Sequence, residues 1–153
     1  METQASTLVI VHPGSACGSA NYNIGRFEAR AARDAIASLC DHWDTGVIVL
    51  DGETSEDLAE FPMFAGAIER AVERARGAGH LAIRQYAHDP DQVEAIQDIA
   101  RSHPHILASP VLVTGAWYHP DNDGFGCVNS VIDAINALGG QAAVAEAVVA
   151  IED

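Results

Sequence analysis

The stretch WYHPDNDGFGCVN, residues 117–129, closes a buried-looking strand with Trp117, Tyr118 and His119 and opens a helix with Cys127. A thiol at a helix start sits among backbone N–H groups that lack partners within the helix, and these favour its thiolate form. The chemistry this suits is nucleophilic attack on a carbonyl carbon, with an imidazole close by as base. Two histidines qualify. His119 lies in the same loop, and His12 ends the first apolar run, ahead of the small-residue turn HPGSACGSANYN at 12–23. Cys127 is therefore the candidate nucleophile, and His12 or His119 the candidate base. Gly14, Ser15, Cys17, Ser19 and Asn21 in the first loop are candidate substrate contacts, together with Trp117, Tyr118 and Asn129 in the second.

Two such distant loops meet only if the intervening elements bring them together. The runs TLVIVH (7–12), GVIVLDG (46–52), HLAIRQYA (80–87) and PVLVTGAW (110–117) read as strands. Between them lie segments of helical period. The first, 24–40, predicts Phe27, Ala31, Ala35 and Leu39 on its inward face, and the second, 63–76, predicts Ala65, Ile68, Val72 and Ala75. In the third, Asp89 is expected to cap a helix with Pro90 in its first turn and Gln92 three residues on, ahead of Val93, Ile96, Ile99 and Ala100. The fourth carries Val128, Val131, Ile132, Ile135 and Leu138 and stops at Gly139-Gly140. The tail QAAVAEAVVAIED reads as helix by its alanines and as a fifth strand by the alternating rhythm.

This alternation predicts one domain over residues 1–153, with 1–6 disordered. Its class is three-layer α/β/α with a mostly parallel five-stranded sheet, Rossmann-like or flavodoxin-like. Ligands in such folds bind beyond the carboxyl ends of the strands, where strand order reverses. The first strand borders that reversal in both common orders, 3-2-1-4-5 and 2-1-3-4-5, which puts the 12–23 loop at the site.

Composition narrows the chemistry further. All eight basic residues are arginine, so lysine Schiff bases, pyridoxal phosphate attachment and Walker-type phosphate loops are excluded. A formal charge of −14 argues against nucleic acid as a partner and is read as conferring solubility, and the loop placement makes a small-molecule ligand the expected partner. Three scattered cysteines fit reduced thiols, and no run is long enough for a membrane span. A cytoplasmic protein is expected, and a homo-oligomer is compatible with all of this. No metal is expected: His119, Asp121, Asp123 and Cys127, or His103 with His105, lack the spacing of a recognised zinc site.

Two resemblances add to this reading. VIVHPGSACGSAN resembles the phosphate loop of NADPH-dependent FMN reductases, one residue shorter and with Cys17 where an arginine is expected. It implies FMN or another phosphate-bearing ligand, where the rest of the chain implies no cofactor. From 111 to about 151 the chain resembles the isochorismatase-like cysteine hydrolases, through Val113-Thr114-Gly115, Cys127-Val128, Ala134 and Gly139. That resemblance implies Cys127 as nucleophile and the helix-start amides as oxyanion donors. The sequence departs from the family at two chemical positions. His12 stands where the family has an aspartate, and the family's lysine has no counterpart. The expectation is a thiol-dependent hydrolase or transferase of a small polar amide or ester with a rewired site. The alternatives are a flavodoxin-like cofactor or ligand binder, and a non-catalytic partner or assembly protein on the same fold.

Overall fold

A computed structural model of the chain describes residues 7–17, 26–120 and 126–150. The first strand, β1 (Thr7–Val11), is TLVIV and every residue of it is buried. Such a run is stable only where both faces of a sheet are covered. β1 lies parallel to β2 (Gly46–Asp51) on one side and to β4 (Pro110–Tyr118) on the other, with Val9 level with Ile48 and Val113. β3 (Ala82–Tyr86) extends the sheet beyond β2, and β5 (Gln141–Val144) extends it beyond β4. The order is β3-β2-β1-β4-β5, all parallel, so the reversal falls between β1 and β4. The ambiguous tail is resolved as strand: β5, then a short β6 (Val149–Ala150) that pairs with the upper end of β4 at Ala116 and Tyr118.

Alternation along the strands divides the core in two. Leu8, Ile10, Val47 and Val49 face α1 (Arg26–His42) and α2 (Pro62–Gly77). Val9, Val11, Ile48 and Leu50 face α3 (Asp91–Ser102) and α4 (Cys127–Ala137). This is the expected three-layer arrangement. Short 3-10 turns at Pro13–Ala16, Ser55–Glu60 and Pro104–Ala108 complete the described connections. α4 ends where the double glycine predicts, with the Gly140 N–H donating to the Ile135 carbonyl at 3.0 Å. No helix among the described residues is long and apolar enough to cross a membrane.

Two sequence expectations need correcting. In α1, Ala31 and Ala35 are exposed, and the inward stripe runs through Ile36 and Cys40 with Ala32, Ala37 and Leu39 beside them. The helix has alanine on every side, so small residues do not select a face. The bulkier Ile36 and Cys40 do, and the burial they bring, about 2 kcal/mol for a side chain the size of Ile36, turns the helix toward them. In α3, the position before the helix belongs to Pro90, and no side chain caps it. Asp89 is turned elsewhere, with direct consequences for the site. The expected disorder of residues 1–6 falls outside the described residues.

Candidate functional site

The site builds up from the carboxyl end of the sheet. β1 ends in His12, whose backbone is left-handed at φ 45° and ψ 56°. Its N–H donates to the Leu50 carbonyl at 2.8 Å, and its Nε2 donates to the Ala87 carbonyl at 2.6 Å. A carbonyl can only accept, so Nε2 carries the ring's hydrogen. His12 is 5% exposed. It fastens the end of β1 to β2 and to the segment that follows β3. That segment travels far: β3 and β4 are separated by β2 and β1, about 14 Å at the usual strand spacing. The chain after Ala87 crosses back over the strand ends before α3 begins, and it delivers Asp89 to the start of α4.

On β4, Gly115 has φ 108°, and a Cβ there would lie 1.9 Å from the Val11 carbonyl oxygen. Only glycine lets β4 pass so close to β1. Beyond it Trp117 leans into the α1–α2 layer and Tyr118 into the α3–α4 layer. The peptide of His119 is gripped by Asn129, which accepts its N–H at 2.8 Å and donates Nδ2 to its carbonyl at 2.9 Å. Asn129 therefore closes the loop onto α4, with both faces of its amide spent on the backbone. The Asp89–Pro90 and Ala116–Trp117 peptide bonds are both cis.

Cys127 opens α4 as expected, 9% exposed. Its thiol does not have the lowered pKa that a helix start suggests. Burial and then the Asp89 carboxylate push it up to about 12, and the Trp117 backbone pulls the other way. Magnitudes explain the outcome. A helix terminus contributes about 0.3–1 kcal/mol, less than one pKa unit, whereas burial raises a pKa by up to about 3–5 units. Cys127 is thus a neutral thiol under the influence of the Asp89 carboxylate. Asp89 accepts from Gln92 Nε2 at 3.2 Å. The same Nε2 donates to Ser130 Oγ at 3.1 Å, and Ser130 Oγ donates to the Cys127 carbonyl at 2.9 Å.

The first loop is placed differently from the second. Pro13, Gly14, Ser15, Ala16 and Cys17 are all buried. A Cβ on Gly14 would sit 2.1 Å from the Thr54 carbonyl oxygen, and Ser15 Oγ shares a 2.8 Å hydrogen bond with Thr54 Oγ1. The described half of this turn is packed against residues 52–55, so its glycine and hydroxyl are engaged within the protein. Cys17 belongs to the α1–α2 layer and Cys127 to the α3–α4 layer, with the sheet between them. Burial raises the Cys17 thiol to about 11. Ser19 and Asn21 lie outside the described residues, as do Asp121 and Asp123. His103 and His105 meet edge-on, ring centres 6.0 Å apart. Among the described residues no group of three or more His, Cys, Asp or Glu side chains could hold a metal ion.

Sequence reasoning missed Asp89, Gln92 and Ser130 as members of the site. One signal pointed to them. Gln92 lies on the buried stripe of α3 with Ala95, Ile96 and Ile99, a polar residue at an apolar position. Fold and site together define a three-layer α/β protein with a buried cysteine at the start of the helix that follows its switch-point strand β4. No protein-family model, curated protein or solved structure matches the chain.

Proposed function

We propose that the protein is a thiol-dependent hydrolase or acyl transferase acting on a small amide or ester, with Cys127 as nucleophile and Asp89 as its base. One observation carries this reading: a buried thiol at a helix start has its pKa raised by a carboxylate from another loop, which Gln92 and Ser130 tie to the first turn of α4. A thiol with a pKa of about 12 holds its proton at neutral pH, so its reactivity depends on proton removal during attack. As the sulfur–carbon bond forms, the thiol proton passes to Asp89. The oxyanion that develops faces the N–H groups in the first turn of α4, which have no partner within the helix. Asp89 returns the proton to the leaving amine or alcohol as its bond to carbon breaks, and a thioester on Cys127 remains. Water, giving its proton to Asp89, then cleaves the thioester, and the sulfur regains a proton.

His12 has a different part from the one its sequence position suggests. Its Nε2 hydrogen is committed to Ala87, two residues before Asp89, so it positions the base. The resemblance to the isochorismatase-like cysteine hydrolases belongs to the same proposal. The carboxylate which that family takes from its first strand would come here from the loop after β3.

The test uses p-nitrophenyl acetate as an activated acyl donor. The expected result is a burst of p-nitrophenol equal to the protein present and an acetyl group on Cys127 by mass spectrometry. Cys127→Ala should abolish both, and Cys40→Ala should leave both intact. A full-rate burst from Cys127→Ala would show that the nucleophile is another group.

A further inference from the structure

We propose that Gln92 is the positioning residue of this site, holding the Asp89 carboxylate beside the Cys127 thiol through three hydrogen bonds that lead back to Cys127. The ring begins and ends on one residue. The Asp89 carboxylate acts on the Cys127 thiol and raises its pKa, which closes the ring. Asp89 accepts from Gln92 Nε2, Gln92 Nε2 donates to Ser130 Oγ, and Ser130 Oγ donates to the Cys127 carbonyl. This inference rests on Asp89 and Cys127 acting as a pair, and it assigns the group that keeps them together.

The orientation of the Gln92 amide follows from its neighbours. A carboxylate oxygen accepts, and Ser130 Oγ has already given its hydrogen to Cys127. Both partners require an N–H, so Nε2 faces them and uses both of its hydrogens. The amide oxygen is then turned away, buried and without a hydrogen-bond partner among the described residues, in a residue only 1% exposed. An orphaned buried carbonyl lowers stability, and an apolar side chain of the same length would avoid that loss. Stability therefore does not explain the glutamine, whereas its two donors do. They fix Asp89 from α3 against the first turn of α4, so the carboxylate cannot swing toward the helix-cap position that its place before α3 otherwise offers.

The experiment compares Gln92→Met, which keeps the length and removes the donors, with wild type in two assays. In the first, acylation of Cys127 by p-nitrophenyl acetate should slow about tenfold while the thermal midpoint does not fall. In the second, the pH profile of Cys127 alkylation by iodoacetamide should move to lower pH, because a loosened Asp89 no longer holds the proton on sulfur. In an Asp89→Asn background, Gln92→Met should add no further displacement, as expected for residues acting through one contact. Ser130→Ala, which cuts the ring on its other side, should displace the profile in the same direction and serves if Gln92→Met fails to fold. A profile unmoved in both variants overturns the ring. If the profile moves but wild-type Cys127 is never acylated, the ring stands and the hydrolase reading falls.

Discussion

Asp89→Asn should speed one reaction of Cys127 and slow another. The thiol pKa stands at about 12 against an ordinary 9.0, with burial the largest cause and the Asp89 carboxylate the next. The substitution leaves burial in place and removes the carboxylate. It should lower the thiol pKa by about one pH unit, raising the thiolate population about tenfold at any pH well below the titration. A less basic thiolate is also a weaker nucleophile, and with a Brønsted coefficient of about 0.4–0.5 that loss is close to threefold. The net expectation is alkylation of Cys127 about three- to fourfold faster near neutral pH. Acyl transfer should move the other way, by at least about a hundredfold, because it loses its general base. The alkylation rate is read for each cysteine by mass spectrometry after timed iodoacetamide pulses, with Cys40 as internal standard. The acylation rate is read from the p-nitrophenol burst. If alkylation of Cys127 is unchanged or slower, Asp89 does not hold the thiol proton, and the pair is not the functional unit.

Two predictions concern the scaffold. Gly115→Ala forces a Cβ to 1.9 Å from the Val11 carbonyl at φ 108°, whereas Gly139→Ala at φ 92° meets nothing within 4 Å. The first should cost at least about 3 kcal/mol and lower Tm by about 10 °C, and the second about 1 kcal/mol; equal losses in calorimetry would mean that β1 and β4 do not approach as described. The three buried thiols have folded pKa values of about 11, 12 and 12, all above the ordinary 9.0. Folding favours their protonated forms, so this stability is complete below pH 9.0 and is lost as pH rises toward 11 and 12. Urea midpoints should fall across that alkaline range, and less steeply in Cys40→Ala; an unchanged slope would place the sensitivity in other groups.

The strands were legible because a parallel sheet covered on both faces leaves uninterrupted runs such as TLVIV and GVIVL. The order of the sheet was legible only to within two choices, since neighbouring strands in this class share the same composition. Cys127 at a helix start was also readable, from a polar loop giving way to an apolar stripe. Its protonation was not. The helix start is visible in sequence, but the carboxylate that faces it comes from another connection and depends on how far that connection crosses the sheet. Asp89-Pro90-Asp91-Gln92 fits a helix-capping pattern by itself, and only the pull of His12 on Ala87 shows why the chain bends away from it. The face of α1 failed for a simpler reason: alanine at nearly every turn gives the helical period nothing to distinguish.

The sheet that separates Cys127 from Cys17 and Cys40 also limits how the protein meets oxidants. A disulfide needs Cα atoms within about 7 Å, and a layer of strands keeps thiols on its two faces from meeting. Once peroxide converts Cys127 to a sulfenic acid, no thiol of its own chain stands on that side to condense with it. Repair then depends on a small thiol entering from solvent, and a second equivalent of oxidant competes with that entry to give the irreversible sulfinic acid.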